Sequence, residues 1–111
     1  MITSGSLYAP IQAAAGEETF TALLERPGVR IERIDSQGQA SPEGFWYDQP
    51  EDEWVLLVQG EAVLEISGQP PLNLKSGDHL FIPAHVHHRV ASTSADALWL
   101  AVHLPRAESC S

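Results

Sequence analysis

Two segments of the sequence carry side chains of the kind that bind divalent metals or transfer protons. The first begins at Glu53 and continues through an almost wholly apolar stretch to Gly60. The second, residues 77–88, begins with a Gly-Asp pair, contains a proline, and ends in a group of histidines that includes His88. A carboxylate and an imidazole held close together act either as metal ligands or as an acid–base pair. The chemistry therefore depends on whether the fold brings Glu53 and His88 together.

Strand geometry predicts which side chains accompany these two residues. Side chains alternate along a β-strand, so Glu53, Val55 and Leu57 are expected on one face of a strand. By the same rule His88 and Val90 share a face of another strand. Small barrels form their ligand sites inside the mouth. A barrel would therefore place Glu53 and His88 near each other in such a site.

The strands that this arrangement requires are visible in the sequence. Short apolar runs alternate with turn-forming glycine, proline, asparagine, aspartate and serine residues over most of the chain. This texture predicts an all-β protein, built as an antiparallel sandwich or barrel. The predicted strands are Val29–Ile34, Glu53–Val58, Ala62–Ile66, Leu72–Leu74, His79–Ile82, His88–Ala91 and Ala97–Leu104.

The first part of the chain has a different texture. Between Glu17 and Arg26 the apolar residues recur at helical spacing. The acidic residues of the first turn favour a helix, and Pro27-Gly28 would end it. These patterns predict one short N-terminal helix. The predicted organisation is an N-terminal arm and helix over 1–28, a barrel over 29–104 and a C-terminal tail over 105–111.

Taken together, the two segments resemble the motifs of the cupin superfamily. The resemblance covers roughly residues 29–104 and implies a double-stranded β-helix, the jelly-roll barrel of cupins. In cupins a His-x-His pair shortly before the first-motif glutamate joins that glutamate and the second-motif histidine around a divalent metal. In this chain the positions of the pair hold Tyr47 and Gln49, or Trp46 and Asp48 with a spacing longer by one residue.

This departure leaves two interpretations of the site open. In the first, a divalent ion (Zn, Mn, Fe or Ni) is held by ligands drawn from Asp48, Gln49, Glu53, His85 and His88. Within that set, His85, His88 and Glu53 would form a two-histidine, one-carboxylate arrangement. In the second interpretation the site holds no metal, and its polar residues hydrogen-bond one another and water. No organic cofactor is expected.

Three hypotheses of function follow from the resemblance. The first is a metal-dependent dioxygenase, isomerase or lyase in which Tyr47 or His85 carries the proton. The second is a non-catalytic module that binds a small organic molecule without a functional metal. In both cases the molecule is expected to contact Trp46, Tyr47, Gln49 and His103. The third is a structural role in which the barrel only dimerises.

Composition narrows the class of partner. The chain has 111 residues, of which 6 are Lys or Arg and 15 are Asp or Glu, and its net charge is −9. Such a chain repels phosphate backbones and anionic lipid heads, so neither nucleic acid nor a membrane is an expected partner. The single cysteine, Cys110, cannot form an internal disulfide, and no signal-like segment is present, so we expect a cytoplasmic protein. The apolar strand 53–58 is expected to be covered on both faces, which predicts a homodimer.

Overall fold

Eight strands form two antiparallel sheets in the part of the chain that the structure describes, residues 1–11 and 17–106 of a computed structural model. The strands are β1 (Thr19–Arg26), β2 (Val29–Asp35), β3 (Asp52–Gln59), β4 (Glu61–Ile66), β5 (Leu72–Lys75), β6 (His79–Ile82), β7 (His88–Thr93) and β8 (Leu98–Leu104). The larger sheet has the order β1-β2-β8-β3-β6, and the smaller sheet has the order β5-β4-β7.

The predicted all-β class is confirmed, and each strand predicted from Val29 onward forms. Alternation along these strands builds the core between the two sheets. From the larger sheet, Val55 and Leu57 of β3 and Trp99 of β8 are buried, and from the smaller sheet Leu64 of β4 is buried. Because each strand contributes every second side chain to this layer, the polar residues at matching positions also face the interior.

The predicted N-terminal helix is wrong, because Thr19–Arg26 forms strand β1. Pro27-Gly28 does not end a helix but makes the two-residue turn of a hairpin, since Arg26 pairs with Val29 across it. Gly28 has φ of 78°, a conformation that glycine adopts without strain. Proline followed by glycine at the centre of a turn is the typical sequence of a type II turn.

The helical spacing of the apolar residues in β1 has a local cause. A bulge between Ala22 and Leu24 shifts the register of β1 against β2. A bulge inserts one residue and so interrupts the period of two that identifies a strand in the sequence. Pairing with β2 then decides the conformation of a segment whose local pattern favours a helix.

The topology places the two motif segments at the same end of the barrel. Glu53, near the start of β3, lies opposite His103 of β8. His88 begins β7 in the other sheet. Tyr47, in the segment before β3, forms an isolated bridge to His88, in which the Tyr47 N–H donates to the His88 carbonyl at 2.7 Å. Side chains from both sheets and from this segment therefore converge.

The described residues contain no helix long and apolar enough to cross a bilayer. Cys110 and the rest of residues 107–111 lie outside the described part of the chain, as do residues 12–16. The division into an arm, a barrel and a tail stays a prediction, although β1 joins the larger sheet by pairing with β2.

Candidate functional site

A cavity of about 260 Å³ opens between the sheets at the end where Glu53 and His88 lie. Its apolar lining residues are Phe20, Ile34, Val55, Leu64, Ile82, Val90 and Trp99. Its polar lining residues are Glu18, Arg30, Glu32, Tyr47, Gln49, Glu53, His88 and His103. Pockets for drug-sized ligands have volumes of about 300–1,000 Å³, so this cavity suits a smaller organic molecule.

Glu53 places a buried carboxyl in the cavity and is only 8% exposed. Burial raises the pKa of this carboxyl to about 7, with the nearby Glu32 carboxylate adding to the rise and the Arg30 guanidinium partly offsetting it. A carboxyl with a pKa near neutrality can both accept and release a proton at the pH of the cell.

His88 faces Glu53 from the opposite sheet. Its Nδ1 lies 2.9 Å from the Val86 carbonyl oxygen, so Nδ1–H donates to that carbonyl. The other ring nitrogen, Nε2, lies 3.8 Å from Glu53 Oε1. Burial lowers the pKa of His88, against the hydrogen bond to Val86, which raises it. The ring is therefore neutral near pH 7 and directs the lone pair of Nε2 toward the carboxyl.

His103 forms the other side of the Glu53 environment. Its Nε2 lies 3.0 Å from Glu32 Oε1 and 3.8 Å from Glu53 Oε2. Arg30 Nε approaches the same Glu32 oxygen at 3.3 Å. The carboxylate of Glu32 thus holds both the imidazole of β8 and the guanidinium of β2, and it fixes the side of the cavity next to Glu53.

Tyr47 and Gln49 both line the cavity, as alternation predicts for an unbulged segment. The ring of Tyr47 stacks on the ring of His88 with centroids 5.4 Å apart and planes at 23°. Burial raises the pKa of the Tyr47 phenol, and the carboxylates of Glu18 and Glu53 raise it further. The phenol therefore keeps its proton and can donate a hydrogen bond to a ligand oxygen.

The structure does not bring the five predicted metal ligands together, because Asp48 and His85 lie outside the cavity. Asp48 Oδ1 is 2.7 Å from His85 Nδ1, and Asp48 Oδ2 is 3.1 Å from His87 Nε2. The side chains of this cluster are about half exposed. The hydrogen bond from His85 lowers the pKa of Asp48. These three side chains form a surface cluster that joins the segment before β3 to the loop before β7.

Two features of the backbone explain why these residues point outward. Asp48 and Trp46 alternate with the inward-facing Tyr47 and Gln49, and the side chain of Trp46 is 39% exposed rather than part of the cavity lining. His85 has φ of 65°, and its N–H donates to the Gln49 carbonyl at 2.8 Å. The ligand contact predicted for Trp46 and the proton transfer predicted for His85 therefore lack access to the cavity.

Sequence reasoning missed the lining residues that come from β1, β2 and the residue preceding β1. Glu18 and Phe20 were missed because a helix was predicted for this segment, and the alternation of a strand was not applied to it. Arg30, Glu32 and Ile34 face the cavity from β2. Their spacing of two residues is the signal that could have placed them on one face of that strand. Which face is the inner one follows only from the pairing of β2 with β8.

The donors at this site do not fit a resident divalent metal. Within residues 1–11 and 17–106, no group of three or more His, Cys, Asp or Glu side chains is arranged to hold an ion. His103 directs Nε2, the nitrogen nearer to Glu53, to the Glu32 carboxylate. The prediction of Zn, Mn, Fe or Ni therefore finds no matching ligand geometry, and no catalytic step is assigned to a metal.

Comparison with known proteins agrees with this architecture. A family model described as a cupin domain matches residues 33–103. A protein from Ralstonia eutropha JMP134, named as a candidate mannose-6-phosphate isomerase, is 50% identical with a TM-score of 0.88 over 93% of this chain and 98% of that chain. A cupin superfamily protein from Desulfitobacterium hafniense DCB-2 is 25% identical, with a TM-score of 0.73 over 86% of this chain and 84% of its own. KdgF from Halomonas sp., 20% identical, shares the fold with a TM-score of 0.70 over 87% of each chain. No curated protein matches the sequence.

Proposed function

This chain belongs to the cupin family, and from that membership we propose that it is an isomerase, which moves a proton on a small organic molecule bound in the barrel cavity. The observation that carries the proposal is the buried pair of the Glu53 carboxyl and the neutral His88 imidazole, 3.8 Å apart in a cavity open to solvent. The name of the relative from Ralstonia eutropha supports the same reaction class.

The proposed step is proton transfer between two neighbouring carbons, one of them a carbonyl carbon. The Glu53 carboxylate takes the proton from the carbon next to the carbonyl, the electrons of that C–H bond form the double bond of an enediolate, and the electrons of the carbonyl double bond move to its oxygen. Tyr47 donates a hydrogen bond to the carbonyl oxygen as negative charge develops there. His88 Nε2 accepts the proton of the neighbouring hydroxyl and returns it to the former carbonyl oxygen, and Glu53 returns its proton to the former carbonyl carbon, so that the neighbouring carbon becomes the new carbonyl.

The variant His88→Asn tests this assignment. Asparagine keeps a donor near the position of Nδ1, which donates to Val86, and removes Nε2. We expect the rate at which the carbonyl moves to the neighbouring carbon, followed together with C–H exchange by NMR in D₂O over a panel of sugars and amino sugars, to fall about 100-fold. The matched control is His79→Asn, because His79 is exposed on β6 and packs against Trp54 away from the cavity. A panel that shows binding but no exchange with the wild type would instead favour the non-catalytic module.

The donor geometry predicts that activity does not depend on a bound metal. After dialysis against EDTA we expect the proton-exchange rate to change by less than about twofold, because the described residues hold no three-ligand group. The measurement compares untreated, EDTA-treated and Zn-, Mn-, Fe- or Ni-supplemented protein in the same exchange assay. Loss of activity on chelation, with recovery on adding one of these ions, would contradict the prediction.

We also propose that a second copy of the chain covers the outer face of the larger sheet. One apolar row crosses its five strands and consists of Leu24, Ile31, Val102, Trp54 and Phe81, which are cross-strand neighbours in that order. Leu24 is 41% exposed and Phe81 is 54% exposed. A continuous apolar row on an exposed sheet face is typical of a protein interface. A second copy packed on this row would cover the outer face of strand 53–58, as the homodimer prediction requires.

Placing a charge in this row is expected to separate the two copies. Val102 lies at the middle of the row, so Val102→Lys would bury an unpaired ammonium group in the proposed interface. We expect light scattering after gel filtration to give about twice 12.1 kDa for the wild type and 12.1 kDa for the variant. The matched control, Val63→Lys, alters the smaller sheet, where Val63 pairs with Asn73 and Ser92. A monomeric wild type, or equal dissociation of both variants, would contradict the proposal.

A further inference from the structure

The cavity is lined by more carboxyl groups than cationic groups. Three carboxyl side chains, those of Glu18, Glu32 and Glu53, line it together with a single guanidinium, that of Arg30. Arg30 is already engaged, because its Nε lies 3.3 Å from Glu32 Oε1 and its Nη2 lies 3.5 Å from Glu51 Oε1. The described lining residues include no other lysine or arginine. A phosphorylated ligand would therefore meet carboxylates without an uncommitted cation to balance them.

Two groups that face the cavity, the Glu53 carboxyl and His88 Nε2, are hydrogen-bond acceptors without a protein donor among the described residues. The Glu53 side chain is 10% exposed, and its nearest polar neighbours, two histidine nitrogens, stand 3.8 Å away, beyond hydrogen-bond distance. No described residue donates a hydrogen bond to this carboxyl. His88 uses Nδ1–H on the Val86 carbonyl, which leaves the Nε2 lone pair unpaired at the cavity. Acceptors that line a cavity without a protein donor are open to a ligand rich in donors.

Aromatic side chains lie beside these acceptors. Tyr47 and Trp99 line the cavity, and Phe20 lines it while remaining 54% exposed, which places Phe20 on the open side. The face of an aromatic ring attracts a cation and repels an anion. The aromatic residues and the carboxyls of the cavity therefore both favour a positively charged ligand.

We propose that the ligand of this cavity is a small molecule that carries a protonated amine and no phosphate, such as an amino sugar. A protonated amine offers three donors to the acceptors of the cavity and balances the charge of its carboxyls. The proposal rests on the proposed function for the position of the reacting carbon next to Glu53, and it adds the charge of the substrate. If the proposal holds, the substrate of this protein is not a sugar phosphate.

Three sugars test the proposal: mannose, and mannosamine and mannose 6-phosphate, each of which differs from mannose at a single substituent. Binding is measured by calorimetry and by NMR shifts of the cavity residues, with EDTA present throughout so that metal ions do not contribute. We expect mannosamine to bind about 10-fold more tightly than mannose, and mannose 6-phosphate to bind more weakly than mannose. Ethylammonium serves as a fourth probe, because it carries the charged group without the sugar.

The variant Glu18→Gln connects this preference to the cavity. Glutamine keeps an oxygen that can accept the hydrogen bond from Ser36 Oγ, 3.0 Å from Glu18 Oε2, but it removes the negative charge. We expect the preference for mannosamine over mannose to fall by about threefold to tenfold. The matched control is Glu61→Gln, at the exposed start of β4 outside the cavity, and we expect it to leave the preference unchanged.

The possible results separate this proposal from the proposed function. Equal binding of mannosamine and mannose, tighter binding of mannose 6-phosphate, or no binding of either mannosamine or ethylammonium at about 50 mM would overturn the inference about charge. Tight binding of mannosamine without proton exchange on any sugar or amino sugar of the panel would uphold that inference and overturn the isomerase. Exchange on mannose 6-phosphate, with no preference for an amine, would uphold the isomerase and overturn the inference.

Discussion

Replacing Glu53 with glutamine is expected to remove most of the proposed isomerase activity and, at the same time, to stabilise the folded protein above neutral pH. Glutamine has nearly the same volume, so the packing at the start of β3 is preserved. It cannot accept a proton, so we expect the rate of proton exchange on the substrate to fall by about 10²–10⁴-fold. The two effects have one cause, because the burial that raises the pKa of Glu53 also makes its ionised form costly.

The direction of the stability effect follows from the pKa in each state. The pKa of Glu53 rises from 4.5 to about 7 in the folded protein. Between these values the folded state binds more protons than the unfolded state, so the free energy of unfolding falls as the pH rises. The stabilising effect of the protonated carboxyl is fully present below pH 4.5 and is lost as the pH passes through about 7. The loss amounts to about 3 kcal/mol, which Glu53→Gln recovers at high pH and not at low pH.

Urea unfolding of the wild type and of Glu53→Gln at the two ends of this range measures the effect. We expect similar free energies of unfolding at about pH 4.5, and a variant more stable by about 3 kcal/mol at about pH 8.5. Glu61→Gln is the control for loss of a carboxylate, since Glu61 is exposed on β4. If the difference in the free energy of unfolding between the wild type and the variant does not change with pH, ionisation of the Glu53 carboxyl does not destabilise the folded state.

The strands could be predicted from the sequence wherever the local pattern and the tertiary pairing agree. Along β3 the buried residues Val55 and Leu57 alternate with half-buried ones, and the period of two identifies both the strand and its inner face. In β1 the two sources of information disagree. The bulge after Ala22 disrupts the period, and only the pairing of Arg26 with Val29 shows that the following proline and glycine form a hairpin turn. Pairing over a distance has no signature in a single segment.

The candidate site could be predicted to the same extent and for the same reason. Motif positions and alternation indicated Glu53, His88 and Tyr47, which meet at the cavity. The difference between prediction and structure at Asp48 and His85 concerns side-chain direction. Both residues are close in sequence to residues that line the cavity. The side chain of Asp48 alternates to the outside, and His85, which has a positive φ, directs its side chain outward to Asp48. The direction of a side chain in an irregular loop depends on local backbone angles, which residue type alone does not determine.

Gly60 is the position at which the fold depends most directly on the absence of a side chain. It joins β3 to β4 with φ of +90°, and it lies against the turn that precedes β8. A Cβ at this position would stand 2.5 Å from Ser94 Oγ and 2.9 Å from Ala97 Cα. Ser94 Oγ accepts a hydrogen bond from the Glu61 N–H at 2.9 Å, so the crowded atom also holds the start of β4. Movement of Ser94 would weaken that hydrogen bond. The contact with Ala97 cannot be relieved by a side-chain rotation, because Ala97 Cα belongs to the backbone.

We therefore expect Gly60→Ala to lower the free energy of unfolding by about 3 kcal/mol or more, from the left-handed backbone conformation and the overpacking together. Gly68→Ala is a matched control, because Gly68 has nearly the same backbone conformation, with φ of +81°, and a methyl group there would have no atom within 4 Å beyond its chain neighbours. The control should lose only the backbone contribution, about 1 kcal/mol. Urea unfolding of both variants gives the comparison directly. Equal losses would mean that the turn before β8 yields without cost, and that the packing around Gly60 does not restrain the joint between the two sheets.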